Sequence, residues 1–415
     1  MMQGIEFILL LLAVAAALQF VTERYLIPRP VLLVMGGLIL AVTPGLPRLE
    51  LNPDTIFLIF IPPLLYWAAL TTSLRDFIRS LRSISMLAVG LVLVTMVVVA
   101  AVAHTLVPEM TWASAFVLGA IVSPPDAVAV SAATRRLGLP KTINTILNGE
   151  SLLNDATAFV AYRMAVAAVV AGTFSIWKAG FRFVWTGVGA IALGLVIGWL
   201  IGRLRGLIGK TPLVENAISL LTPFVAFIPA ERLGLASVLT VVATGLYLGR
   251  RGPKVVSAVT RLQTTAMWEM LVFILEGLIF IIVGLELRNV LQALTGHSLF
   301  RLIYYTVALS AVMIAARIGF VFVGSYLPRF IGSHCCGRSK AEPYPPWREV
   351  LFVGWAGMRG SDSLVIALAL PLVTRTGGPF PARDLIIFLT FGVILISLVV
   401  QGFSLAPIIR WLKLT

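Results

Sequence analysis

The chain alternates long apolar runs with short polar turns. Read at helical length, the runs predict spanning helices at about 5–21, 31–42, 56–72, 84–106, 112–133, 143–171, 179–204, 213–228, 235–248, 267–285, 302–326, 350–372 and 385–412. Two runs are broken. Ser123-Pro124-Pro125-Asp126 interrupts the fifth, and Gly354-Trp355-Ala356-Gly357-Met358-Arg359-Gly360-Ser361-Asp362 interrupts the twelfth. Proline removes a backbone donor and frees a carbonyl, and in lipid such groups need a protein, water or ion partner. The breaks fall at equivalent places if helices 1–6 (about 5–171) and 8–13 (about 213–412) are two halves of opposite orientation, with helix 7 (about 179–204) as linker. The expected fold is therefore an all-α polytopic membrane protein. It has about 13 transmembrane helices, two inverted six-helix repeats, and discontinuous helices 5 and 12. Residues 1–415 are expected to form one transmembrane domain, without a cytoplasmic tail domain. Gly194, Gly198 and Gly202, four apart, mark a close-packing helix face. The halves share little visible sequence similarity, so the repeat rests on helix count and break position.

Composition agrees with the pattern. Hydrophobic residues make up 59% and charged residues 12%, against about 25% charged in a soluble domain, and the mean hydropathy is +1.00. The net charge of +14 raises nucleic acid as a partner, but the placement of the charge excludes it. With the N-terminus outside, and with Arg182, Arg203 and Arg410 at span ends counted in the adjoining segments, the cytoplasmic segments hold 21 Lys and Arg and the opposite loops eight, leaving Arg163, Arg317 and Arg359 inside spans. The basic residues then face anionic inner-leaflet lipid. The orientation is N-terminus outside and C-terminus cytoplasmic in a cell membrane. The N-terminal run lacks a basic leader and reads as a retained helix. Cys335 and Cys336 are adjacent, lack metal-ligand spacing and read as free thiols.

The densest chemistry lies in Gly149-Glu150-Ser151-Leu152-Leu153-Asn154-Asp155, near the start of an apolar run. Glu150 and Asn154 stack at i, i+4, and so do Ser151 and Asp155. The result is an oxygen-rich patch on adjoining faces of one turn, which in a membrane helix points to a cavity or a partner. Glu150 reads equally as ligand or salt-bridge partner, and Asn154 and Asp126 read as structural. Arg163, two turns on, snorkels or pairs with a neighbour. Asp362 lines a cavity or caps a helix. Glu269, Glu276 and Glu286 follow one another along the tenth run, Glu276 most centrally. His104, His297 and His334 lie near span ends or in loops, and no cofactor is implied. Gly209-Lys210-Thr211 has Leu204 where a phosphate loop needs glycine. A channel needs rings of carbonyls or charge, which single asymmetric acids do not make. An intramembrane aspartyl protease built on Asp126 and Asp155 would need two carboxylates sharing a proton, and no peptidase motif accompanies them.

These residues also carry a resemblance. Ser123-Pro124-Pro125-Asp126-Ala127-Val128-Ala129, Arg135-Arg136-Leu137-Gly138-Leu139-Pro140 and Gly149 to Ala158 are similar to motifs of the monovalent cation:proton antiporter-1 family, the bacterial NhaP-type sodium/proton exchangers. Trp355 to Gly360, Ser363-Leu364 and Ala367 to Pro371 resemble its late-helix motif, and Trp268-Glu269 and Gly284 to Leu287 its tenth-helix region. The resemblance implies a homodimer with a mobile six-helix core. It implies that Asp155 holds either Na⁺ or a proton, with Glu150 and Ser151 completing the cation shell. Asn154 would brace the crossing helices, Asp126 and Pro125 would belong to the unwound fifth helix, Arg317 would pair with Glu150, and Arg359 would sit at the twelfth-helix break. Asp362 and Glu276 stand as further candidates. Asn148, Asp362 and Pro125 depart from common family residues, which bears on ion choice; relatives often continue past the last helix. Desolvation disfavours a bare carboxylate and nearby cations favour it, so a proton and a cation compete for Asp155. With Glu150 offset by Arg317, one cation per proton is expected, an electroneutral cycle. The alternatives are a monovalent cation channel and a K⁺-selective cation/proton exchanger.

Overall fold

The computed structural model describes residues 2–25, 29–43, 53–126, 130, 139–171, 176–208, 211–255, 258–294, 298–335, 345–374 and 377–414. The first three helices are α1 (Met2–Tyr25), α2 (Arg29–Val42) and α3 (Pro53–Thr71). A short α4 (Leu74–Arg79) and α5 (Leu81–Ser85) lead through a π-helical stretch, Met86–Leu91, into α6 (Val92–Leu106). Then come α7 (Trp112–Val122), α8 (Lys141–Ala171), α9 (Ile176–Ile208), α10 (Pro212–Arg232), α11 (Ser237–Val255), α12 (Ala258–Ala293) and α13 (Leu299–Cys335). The chain closes with α14 (Trp347–Trp355), α15 (Ser361–Leu368), α16 (Arg383–Ile396), a second π-helical stretch, Ser397–Gln401, and α17 (Gly402–Leu412). Among the described residues there is no strand, only an isolated antiparallel bridge between Val373 and Pro379. Seven of the described helices are long and apolar enough to cross a membrane, and shorter apolar helices stand beside them.

The helices pack as two bundles. α1–α3 associate with α9–α12, and α5–α8 with α13–α17. The first bundle is joined through small residues. Gly194 and Gly198 bring α9 against Thr240 and Tyr247 of α11, and Thr244 donates its hydroxyl to the Gly194 carbonyl at 2.9 Å. The second bundle holds both broken helices. α3, α8, α11, α12, α15 and α16 meet along the seam between the bundles.

Several boundaries differ from the sequence expectation. The twelfth run ends its helix at Leu368 rather than Leu372, because Pro371 has no N–H to continue the ladder. The turn expected at Arg75, Arg79 and Arg82 contains α4, started by Ser73, whose hydroxyl accepts the Asp76 N–H. α12 and α13 extend well past their apolar stretches. Ala127-Val128-Ala129, Arg135 to Gly138, Cys336 and His297 lie outside the described residues, as do the side chains of Cys335, His334 and Glu286.

Candidate functional site

Two helix ends and two non-helical segments cross in the second bundle. α7 stops at Val122, since Pro124 and Pro125 cannot continue it, and Ser123–Asp126 run on without helical structure. α14 stops at Trp355, and 356–360 pass to α15. The segments meet where the Asp126 N–H donates to the Met358 carbonyl at 2.8 Å. A Cβ on Gly360 would run into the Asp126 carboxyl group, so Gly360 lets that acid lie against the backbone that opens α15. A carboxylate there complements the positive end of the helix. Asp126 is partly buried, and Pro125 is fully so.

The carbonyls freed by the breaks have partners. The Pro125 carbonyl accepts Asn154 Nδ2 at 2.8 Å. Arg359, 1% exposed, donates Nε to the Val122 carbonyl at 2.6 Å and Nη1 to the Gly357 carbonyl at 2.8 Å. Its own N–H donates to Ser397 Oγ at 2.7 Å. Ser397 donates in turn to Gln401 Oε1 at 2.7 Å, and Gln401 Nε2 donates to the Trp355 carbonyl at 2.8 Å. Ser397 and Gln401 were not singled out from the sequence. Two polar residues at i, i+4 inside the most apolar part of the last span were the available signal.

Beside the crossing lies a closed ion pair. Arg317 Nη1 and Nη2 donate to Glu150 Oε1 and Oε2 at 2.5 and 2.8 Å, and both residues are 1% exposed. Nη2 also donates to the Val353 carbonyl at 3.2 Å. Arg317 passes directly over Gly357, where a Cβ would collide with its side chain. The expectation that Glu150 fills out a cation shell meets a different geometry, in which both its oxygens face the guanidinium.

Asp155 is placed otherwise. It is partly buried on α8, and no described residue donates a hydrogen bond or ion pair to it. Asp362 and Asp126 are the charged side chains that act on it. Asp362 stands in the first turn of α15 and is partly buried; Ser151 lies one turn before Asp155 and is also partly buried. Among the described residues no three acids, histidines or cysteines gather closely enough to hold a metal ion. The structure thus brings Glu150, Asn154, Pro125, Asp126, Arg317 and Arg359 into one hydrogen-bonded cross, with Asp155 and Asp362 beside it. Glu276, partly buried, belongs to α12 of the other bundle.

Towards the C-terminal end of α8 the seam is filled by rings. Phe159, one turn past Asp155, stacks on Phe57 of α3 at 4.9 Å, and Phe57 meets Phe227 of α10 at 5.9 Å. Arg163 lies 4.6 Å over the Phe159 ring and pairs with Glu231 of α10, whose other oxygen accepts the Ser237 hydroxyl at 2.8 Å. Arg163 therefore pairs across the bundles.

Comparison with known proteins resolves the family. The family described as sodium/hydrogen exchanger, transmembrane, matches residues 8–411. The chain belongs to the sodium/hydrogen exchanger family. An uncharacterized Na⁺/H⁺ exchanger of Mycobacterium tuberculosis is 37% identical over 99% of this chain and 75% of its own length. The Na⁺/H⁺ antiporter NhaH of Halobacillus dabanensis is 30% identical over 97% of this chain and 96% of its own. A sodium, potassium, lithium and rubidium/H⁺ antiporter of Bacillus subtilis is 33% identical over 95% of this chain and 60% of its own. The fold matches the sodium proton antiporter MjNhaP1 of Methanocaldococcus jannaschii with a TM-score of 0.73 at 18% identity, covering 99% of both chains. As a member of the exchanger family, the chain is a multi-pass membrane protein.

Proposed function

We propose that this chain is a secondary antiporter that exchanges Na⁺ for H⁺ by alternating access, with cation and proton competing for Asp155. The observation that carries the assignment is the contrast between two acids five residues apart. Glu150 is locked to Arg317, whereas Asp155 has no donor among the described residues and lies beside two further carboxylates. A carboxylate left without a donor at a half-open position in a membrane helix is relieved by whichever cation reaches it. Ser151 supplies an oxygen one turn away, and Asp362 adds negative charge. Glu150 serves this reading better as the anchor of Arg317 than as a ligand.

The crossing supplies a rigid frame, since its freed carbonyls are held by Asn154, Arg359 and Gln401. The ring contacts between Phe159, Phe57 and Phe227 support a conformation closed towards the C-terminal end of α8. A cation or a proton on Asp155 leaves the same charge at the site, so one-for-one exchange moves no net charge. The Lys and Arg distribution supports an outside N-terminus in a cell membrane, and the helix count of thirteen, the inverted repeat and a homodimer follow the family reading. Cations of the same charge, Li⁺, K⁺ and Rb⁺, are tested alongside Na⁺, because one relative is named for all four.

The test is proton movement in liposomes holding an internal pH dye, driven by an imposed Na⁺ gradient. Wild-type activity that vanishes in Asp155→Asn is expected. Equal activity in both would move the exchange site elsewhere. Ion-driven flux without proton movement would favour a channel.

A further inference from the structure

The short segment between α3 and α6 is built like a surface-seeking helix. α4 and α5 join end to end at Ser80. At about 100° per residue, three neighbouring arcs emerge. Arg75, Arg79 and Arg82 share an arc of about 60°, and all three are exposed. Ile78 and Leu81, 58% and 41% exposed, share the next arc with Leu74. Phe77 and Ile84, both buried, share the third. Asp76 is the one acid between Leu74 and Ser85 and lies with Ser80 and Ser83 on the remaining face. Ile84 and the Phe77 ring cover the backbone of Gly149, leaving no room for a Cβ there. Gly149 precedes Glu150, and the π-helical stretch that continues the segment packs on α8 and α13, the two helices of the buried ion pair.

We propose that α4–α5 is a docking surface for anionic phospholipid headgroups, and that its occupancy tunes exchange through Phe77 and Ile84 on Gly149. A cationic stripe bordered by exposed apolar residues, where a span begins at Leu81, fits the boundary between headgroups and acyl chains. Ile78 and Leu81 enter the acyl edge while the three guanidiniums reach phosphate oxygens, which they hold with charge-assisted hydrogen bonds. The buried arc then transmits any tilt of the segment to α8 beside Glu150. The transport arm rests on the antiporter reading; the binding arm does not.

The experiment compares the wild-type protein, an Arg75→Gln/Arg79→Gln/Arg82→Gln variant, and a control variant losing three other exposed arginines (Arg250, Arg261 and Arg410, each to Gln). Thermal unfolding is followed in detergent with added phosphatidylcholine or phosphatidylglycerol, and exchange is measured in liposomes of each lipid. Phosphatidylglycerol is expected to raise the unfolding midpoint and speed exchange several-fold in wild type and control, and to do neither in the stripe variant. All three are expected to exchange equally in phosphatidylcholine. Phe77→Leu is expected to keep the midpoint shift and lose the rate response. A stripe variant that still responds to phosphatidylglycerol overturns the proposal, as does one already inactive in phosphatidylcholine, where the arginines would serve the fold. Equal loss in the control reduces the effect to general surface charge and also overturns it. A wild type indifferent to phosphatidylglycerol overturns the lipid surface and leaves the stripe to a protein partner. A midpoint shift without exchange in any variant supports the docking surface and refutes the antiporter reading instead.

Discussion

Separating the two partners of the buried pair costs far more than removing the pair, and the difference can be worked out. Arg317 and Glu150 are each 1% exposed and joined by two charge-assisted hydrogen bonds. Glu150→Leu leaves a guanidinium whose charge cannot be shed, with the Val353 carbonyl as its remaining partner. Arg317→Met leaves a buried acid without the guanidinium that matched it. Orphaning one member of such a pair costs about 3–5 kcal/mol, and each single variant is expected to lose that much. The Glu150→Leu/Arg317→Met double variant removes both charges and falls within about 1–2 kcal/mol of wild type. Unfolding titrations in mixed micelles measure all three. Singles that cost less than about 1 kcal/mol, or a double that costs the sum of the singles, would refute the reasoning. Exchange by the same double variant decides the role of Glu150. Residual Na⁺-driven proton flux leaves it structural, and loss as complete as in Asp155→Asn makes it a ligand.

Gly360→Ala places a methyl group where the Asp126 carboxyl lies; a loss of about 1–3 kcal/mol and a clear drop in exchange are expected from thermal unfolding and the liposome assay. Gln401→Leu strands the Trp355 carbonyl and is expected to lower stability by about 1–3 kcal/mol. The Arg163–Glu231 pair is partly exposed, so Glu231→Gln shifts stability by no more than about 1 kcal/mol. It nevertheless speeds thiol labelling of Phe159→Cys in a chain lacking Cys335 and Cys336, and unchanged labelling would show that the pair does not hold the seam. Na⁺/H⁺ exchange in liposomes clamped at different potentials with valinomycin proceeds at one rate, and a rate that follows voltage refutes one-for-one exchange.

Much of the cross was legible because its cause is local. Pro124, Pro125 and the glycines of 354–360 dictate breaks wherever the rest of the chain lies, and a charge among apolar residues is conspicuous in any fold. The partners of the breaks were less legible. Asn154 meets Pro125 across 29 positions and Arg359 meets Val122 across 237, and no periodicity reports such pairings. Only the family resemblance pairs Arg317 with Glu150, since a single arginine in an apolar run does not name its partner. Ser397 and Gln401 are inconspicuous because neither is charged, although they complete the cross. Helix α4 is hidden because six residues carry too little periodicity to separate a helix from a basic turn. Arg163 does not announce its partner, because Glu231 belongs to a different bundle.

The same arrangement explains why the breaks can persist in a membrane. Interrupting α7 and α14 frees carbonyls that lipid cannot satisfy. Arg359 answers two of them, at Val122 and Gly357, Asn154 answers Pro125, and Gln401 answers Trp355. One cation is thus spent on carbonyl dipoles, which carry no net charge, and the other, Arg317, is matched by Glu150. Asp126 is turned towards the opening of α15. Among the described residues no donor reaches Asp155, which stands on α8 where the two bundles meet. On the proposed reading the chemistry of exchange is then a remainder: the negative charge of Asp155, left when the crossing has satisfied its own backbone and open to a mobile positive charge.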